Sequence, residues 1–243
     1  MSAPLRLAVV GAKGRVGAAV VRLAAEHGLT VARAVGRKEG VAALSAGDFD
    51  VVVDFSSPDI LPELAALAAA ARTPLVSGTT GLARDGEIAL TEASRLIPVL
   101  WEPNLSVGVH VLGKLLRQAI MALGASFDVE IVETHHRQKV DAPSGTALRL
   151  ADIAEEALGG AERKVGREGR PGPRGAREIG IHAVRGGDVV GDHSVHLIGL
   201  GERLELVHRA TNRDLFAHGA LRAARWLVRQ APGRYGIDDL TDS

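Results

Sequence analysis

The chain has 243 residues, enough for one large domain or two modest ones around a real hydrophobic core. Its 29 basic and 29 acidic residues cancel, which argues against a polyanion-wrapping protein, and an aromatic fraction of 3% leaves few stacking platforms for single-stranded nucleic acid. The absence of cysteine excludes a disulfide framework, a thiolate metal site and a cysteine nucleophile. No apolar run approaches the about 18 residues of a membrane span, and the first residues carry no basic leader, so a soluble cytoplasmic protein is expected.

In chain order, Leu5–Val10 reads as a strand, Arg15–His27 as a helix stopped near Gly28, and Leu29–Val35 as a second strand. Asp50–Phe55 is a third, followed by an Ala-rich helix from Pro58 to Arg72 with proline in its first turn. Leu75–Ser77 and Val99–Trp101 are short apolar runs flanking a helix around Asp85–Arg95. Continuous runs such as Val51-Val52-Val53 suit strands buried on both faces, and their alternation with helices predicts a doubly wound parallel sheet. After Asn104 the rhythm changes: Val107–Leu123 is a long helix, Asp128–Glu133 a strand, and Ser144 caps a helix running to about Leu158. Gly159–Arg177, rich in Gly and Arg, is expected to be an extended or mobile loop. Ile179–Val184, Val189–Gly191, His193–Ile198 and Arg203–Arg209 then form closely spaced strands of an antiparallel or mixed sheet, and Asp214–Arg229 is a closing helix. The expected fold is α/β: a Rossmann-like domain plus an α+β domain.

Three segments can carry chemistry. Gly11, Ala12, Lys13, Gly14, Arg15, Val16 and Gly17 lie between the first strand and first helix, where glycines admit close backbone approach and a helix N-terminus offers N–H groups to a pyrophosphate. A glycine turn of this kind also occurs for packing alone. After the second strand comes Gly36-Arg37-Lys38, with no acid at the point where NAD binders hold the ribose and Glu39 slightly late. Two adjacent cations suit a 2′-phosphate, so NADPH is favoured, with NADH as the lesser cofactor. Ser77-Gly78-Thr79-Thr80-Gly81 follows a strand at its carboxyl end, the edge where open α/β sheets bind ligands, though a plain loop explains it equally well.

The third segment, Glu133 to Ala147, crowds His135, His136 and Lys139 against a helix start at Ser144. Histidine moves protons near neutral pH, Lys139 adds positive charge, and the Gly145 and Thr146 N–H groups with the Thr146 hydroxyl suit a carboxylate. Adjacent histidines on an extended chain point apart, so no metal site is expected. His110, His182, His193, His196, His208 and His218 show no partner in the sequence.

Together these segments resemble the 4-hydroxy-tetrahydrodipicolinate reductase family. The matching stretches include Gly11–Gly17, Asp54-Phe55-Ser56, Gly78–Gly81, Pro103–Val109, Glu133–Leu148 and Gly180–His196, in order along nearly the whole chain. The resemblance implies an N-terminal dinucleotide domain, residues 1–104 with 214–243, and a substrate domain, residues 105–213, that also builds a homotetramer. It implies hydride transfer from NAD(P)H to a cyclic dicarboxylate with loss of water. By motif position, Gly11–Val16 hold the pyrophosphate, while Gly78, Thr79, Thr80, Pro103, Asn104, Leu105 and Ser106 line the nicotinamide side. His135 corresponds to a proton donor or acceptor and Lys139 to a second proton donor, with His136, Ser144, Gly145, Thr146 and Arg213 at the substrate. Leu105 stands where many members have phenylalanine, and Gly36 where an acid is frequent. A non-catalytic dinucleotide sensor is the rival reading, but it leaves the His-His-Lys cluster idle.

Overall fold

The computed structural model describes residues 4–36, 39–44 and 49–241. It divides into two compact units, residues 1–107 with 213–243 and residues 108–212.

The first unit contains β1 (Leu5–Val10), α1 (Arg15–Leu23), β2 (Leu29–Val35), β3 (Val51–Asp54), α2 (Leu61–Ala70), β4 (Leu75–Ser77), α3 (Arg84–Ser94) and β5 (Pro98–Trp101). In the second unit, α4 (Val107–Leu123), which starts at the boundary, is followed by β6 (Asp128–His135), α5 (Gly145–Ala157), β7 (Glu162–Val165), β8 (Glu178–Arg185), β9 (Gly191–Ile198) and β10 (Arg203–Ala210). The chain then returns to the first unit with α6 (Asp214–Leu227), β11 (Gly233–Tyr235) and α7 (Ile237–Thr241).

The first sheet has six strands in the order β11-β5-β4-β3-β1-β2, all paired in parallel. Val51, Val52 and Val53 are buried, and successive side chains serve opposite faces. Val51 and Val53 join a core with α1 and α6, while Val52 joins one with α2 and α3 residues such as Leu61 and Leu90. The first predicted helix is split, as α1 gives way to a 3-10 turn over Ala24–His27 that Gly28 ends in the left-handed region.

The second sheet has five strands in the order β10-β9-β6-β8-β7 and is mixed: β9 runs antiparallel to β6 and β10, whereas β8 is parallel to β6 and β7. Val129, Ile131, Val195, Ile179 and Ile181 bury one face against Leu112, Leu116 and Ile120 of α4 and Leu150 and Ala154 of α5. Part of the predicted loop is ordered backbone, because β7 lies within it. Arg167 and Arg174 then tie the loop to Glu130, Arg174 also reaching Asp128 and Arg167 reaching Glu178. Those ion-pair partners lie on other segments, so composition alone showed a loop. Val189 is not a separate strand; β9 begins at Gly191.

Among the described residues no helix is long and apolar enough to cross a membrane.

Candidate active site

In the first unit the glycine turn is built by close backbone approach. Gly11 has φ +76°, and a Cβ there would lie 2.2 Å from the Phe55 carbonyl oxygen. A Cβ on Gly17 would lie 2.2 Å from the Gly11 oxygen, so α1 presses onto the turn itself. Gly14 is the N-cap of α1 and supplies no side-chain cap, and no acid occupies the first turn, which contains Arg15 and Val16. That arrangement fits an anionic pyrophosphate, whose oxygens take up N–H groups a capping side chain would otherwise satisfy. The Gly11 and Ala12 N–H groups are not among those available, since both donate to the Val35 carbonyl.

At the end of β2, Arg37 and Lys38 lie outside the described residues. Glu39, four residues beyond the strand, folds back: its carboxylate accepts the Gly36 N–H at 3.0 Å and the Lys13 ammonium at 2.7 Å. A Cβ on Gly36 would lie 2.7 Å from Glu39 Oε2, so the missing side chain is what admits this carboxylate. An acid late in sequence thereby reaches the end of β2 in space.

The carboxyl ends of β3 and β4 meet at Asp54, which is buried. Its carboxylate accepts the Ser77 and Thr79 hydroxyls, each at 2.7 Å, the Ser56 N–H at 3.0 Å, and the Ser56 hydroxyl. Gly78 lies under the Phe55 ring, where a Cβ would approach Phe55 Cε1 to 2.3 Å and Leu105 Cδ1 to 3.0 Å. Asn104 Oδ1 accepts the Ser106 N–H at 3.0 Å. The structure thus brings the Gly11 turn, Gly78, Thr79 and Leu105 together around Phe55, while Pro103 and Thr80 lie on the adjoining loops.

The second unit gathers the acid–base groups. Val129, Ile131, Glu133 and His135 are the buried positions of β6, so the stripe that begins as core ends in a carboxylate and an imidazole. Glu133 Oε2 is 2.7 Å from His135 Nδ1, and Arg185 of β8 forks onto both Glu133 oxygens at 2.7 and 2.8 Å. The Ser144 N–H donates to Glu133 Oε1 at 3.0 Å, which fixes the start of α5 to the same carboxylate. Burial by itself raises the Glu133 carboxyl, but the hydrogen bonds from Arg185, His135 and Ser144 outweigh it and hold the group below the ordinary carboxylate range. A carboxylate at Nδ1 selects the Nδ1–H tautomer of neutral His135 and leaves Nε2 for proton transfer.

Ser144 caps α5 by accepting the Ala147 N–H at 3.2 Å, and its hydroxyl lies 3.1 Å from His193 Nε2. His193 stands edge-on to His135 with ring centroids 5.2 Å apart, and its buried Nδ1 has no hydrogen-bond partner among the described residues. Burial, reinforced by His135, brings His193 down to about 4, so it is neutral at physiological pH. Gly145 faces open space, with nothing within 4 Å of an added Cβ, and Thr146 follows in the first turn. Lys139 donates to both oxygens of Asp141 at 2.8 Å, and the Asp141 carbonyl accepts Arg185 Nη2 at 2.6 Å. The His136 N–H donates to Val189 O at 2.7 Å. Arg213 is the N-cap residue of α6 and belongs to the first unit.

Sequence reasoning gave no role to Glu133, Arg185 or His193. The first had a legible signal, a charge on the apolar stripe of a strand. The other two reach the site through the pairing of β6 with β8 and β9, where His193 is registered opposite Glu133.

Comparison with known proteins bears on the whole length. The family model described as dihydrodipicolinate reductase, N-terminus, matches residues 5–105, and that described as dihydrodipicolinate reductase, C-terminus, matches residues 108–241. The 4-hydroxy-tetrahydrodipicolinate reductase of Myxococcus xanthus is 43% identical, covering 97% of both chains. That of Geobacter sulfurreducens is 41% identical over 97% of this chain and 98% of its own. A solved structure, dipicolinate-bound dihydrodipicolinate reductase from Paenisporosarcina sp. TG-14, shares the fold with a TM-score of 0.77 at 24% identity, covering 96% of this chain and 97% of its own. Matched in both parts and along nearly its full length, the chain belongs to the dihydrodipicolinate reductase family, the 4-hydroxy-tetrahydrodipicolinate reductases of lysine synthesis.

Proposed function

We propose that His135 and Lys139 move the protons in the reduction of 4-hydroxy-tetrahydrodipicolinate to tetrahydrodipicolinate. The reduction itself is the family's reaction in lysine and diaminopimelate synthesis, and its reductant is NAD(P)H. The observation that carries the residue assignment is a buried imidazole held by a carboxylate at Nδ1, beside a capped helix start open at Gly145. His136, Ser144, Gly145, Thr146 and Arg213 bind the dianionic substrate, and the Lys139 ammonium exchanges Asp141 for a substrate carboxylate. The positive charge so placed draws electrons into the conjugated ring, and fixed orientation supplies the proximity a bimolecular reaction lacks.

The Gly11–Val16 turn holds the pyrophosphate at the start of α1 rather than through the Gly11 and Ala12 N–H groups, and Gly78, Thr79, Thr80 and Pro103–Ser106 hold the nicotinamide, which when bound supplies the hydride. Arg37 and Lys38 favour NADPH through a 2′-phosphate. The Glu39 carboxylate on the Gly36 N–H supports use of NADH as well, through the ribose hydroxyls. The protein works in the cytoplasm as a homotetramer.

The test is a coupled assay in which the preceding synthase makes the unstable substrate from pyruvate and aspartate semialdehyde while NADPH, then NADH, is followed by absorbance. Consumption that needs both proteins is expected, with NADPH the faster. Lys139→Ala lowers both substrate binding and turnover, while Thr146→Val mainly weakens binding; wild-type kinetics for Lys139→Ala would place the site elsewhere. Cofactor binding without turnover would favour a sensor.

A further inference from the structure

Asp54 is a buried carboxylate with no cation beside it: among the described residues it forms no ion pair, and its partners are the Ser56 N–H and the hydroxyls of Ser56, Ser77 and Thr79. Proton placement favours the ionised form. The Thr79 hydroxyl oxygen already accepts the Ser56 N–H at 3.1 Å, and the Ser77 hydroxyl oxygen accepts the Thr79 N–H at 3.3 Å. Asp54 is the acceptor that the three hydroxyl protons have. The ionised carboxylate takes all of them together with the amide, whereas a protonated one has a proton of its own to place among the same hydroxyls. Burial outweighs the pull of these hydrogen bonds and raises the Asp54 carboxyl above its ordinary value. A dry anion with only neutral donors is an expensive feature, and among the described residues no cation pairs with it.

Its location supplies a use. Asp54 ends β3 at the carboxyl edge of the parallel sheet, and its partners belong to the turns on either side of Phe55 and Gly78. Loss of a hydride, with both its electrons, to the substrate leaves the nicotinamide ring with one more positive charge. We propose that Asp54 is a positioning residue whose fixed negative charge favours the oxidised dinucleotide over the reduced one. The proposal rests on the nicotinamide reading given above. Asp54 makes no contact with substrate in this scheme; it acts through the electrostatic field in a low-dielectric site and through the turns it anchors.

The experiment titrates the full-length protein separately with NADP+ and NADPH, for wild type, Asp54→Asn and Ser77→Ala. In Asp54→Asn, NADP+ binding is expected to weaken about tenfold while NADPH binding stays within about twofold, the tenfold corresponding to about 1.4 kcal/mol. Ser77→Ala removes a neutral donor but leaves the charge, so its NADP+ to NADPH affinity ratio is expected to match wild type. Equal loss of both cofactors in Asp54→Asn, or the same change of ratio in Ser77→Ala, reduces Asp54 to a structural tie and overturns the proposal. Unchanged affinities in Asp54→Asn overturn it too. If wild type bound neither dinucleotide, the cofactor reading would fall with it, a result separate from the others. Should Asp54→Asn fail to fold, the infrared spectrum of wild type decides. No protonated-carboxyl band at neutral pH is the expected result, and a band that shifts on exchanging NADPH for NADP+ overturns the assignment.

Discussion

Glu133 and His135 stand two residues apart on β6, with Glu133 Oε2 lying 2.7 Å from His135 Nδ1 and both side chains buried. The same carboxylate accepts the Arg185 fork and the Ser144 N–H, so one group sets the imidazole, the neighbouring strand and the start of α5. Glu133→Gln keeps the shape but removes the charge that pairs with Arg185, and its amide presents a donor to at least one donor. Breaking a buried pair on one side costs about 3 kcal/mol. A fall in urea stability of that order is expected, with kcat reduced more than KM because His135 loses its held tautomer. Unchanged pH–rate profiles in the variant would remove Glu133 from any role in orienting His135.

Gly191 lies under the imidazole on the other side, where an added Cβ would stand 2.9 Å from His135 Nε2. The clash is with a side-chain tip rather than with backbone, so the fold tolerates Gly191→Ala. His135 does not retreat freely, because Glu133 holds its other nitrogen. Displacement of a reacting group by about 1 Å costs on the order of a hundredfold in rate. Gly191→Ala is therefore expected to melt near wild type while losing ten- to a hundredfold in kcat, on the order of that cost. Full activity in a folded Gly191→Ala protein would show that Nε2 is not the working atom.

The parallel sheet and its helices were legible because their signals are local: Val runs for strands buried on both faces, proline at a helix start, glycine at a stop. The Glu133–Ala147 segment was legible because its cations and helix cap are adjacent in sequence. What escaped depends on pairing between distant strands. His193 is opposite Glu133 only once β9 runs antiparallel to β6, and Arg185 reaches Glu133 only through the parallel β8. β7 is polar and exposed, so no apolar pattern marked it. Glu39 comes late in the sequence for the end of β2, and the fold-back that returns it to Gly36 is a feature of space, not of spacing.

Gly17 tests the turn that the sequence showed most plainly. Its Cβ would meet the Gly11 carbonyl oxygen at 2.2 Å, a contact with backbone that no side-chain rotation relieves. Gly17→Ala must lift α1 from the turn, at a cost of about 1 to 3 kcal/mol for overpacking. Because the N–H groups at the start of α1 move with it, dinucleotide binding measured by fluorescence is expected to fall at least tenfold, against about 1.4 kcal/mol per decade. Ala18→Ser, at an exposed position of α1 beside Gly17, serves as a control that leaves the backbone in place. Retained affinity in Gly17→Ala would mean that the α1 terminus does not bind the pyrophosphate.

Two groups in the second unit separate the acid response into windows. His193 is held near 4 by burial against an ordinary 6.5, so between those values the unfolded chain binds a proton that the folded one refuses. Stability from this source is complete above about pH 6.5 and declines as pH falls toward 4, by about 3 kcal/mol in all. Burial alone raises Glu130, but its hydrogen bonds with Arg167, His182 and Arg174 prevail and bring it to about 2 from an ordinary 4.5. Its contribution is present above about pH 4.5 and is lost as pH falls toward 2; partial solvent screening limits it to about 1 to 2 kcal/mol. Burial also lowers His208 and His27, and other paired carboxylates lie below their ordinary range, so urea unfolding across pH should show a decline between 6.5 and 4 that His193→Phe makes shallower, and a lower decline that Glu130→Gln makes shallower. A His193→Phe protein that still loses stability over the upper window, with wild-type slope, would assign that proton uptake to another group.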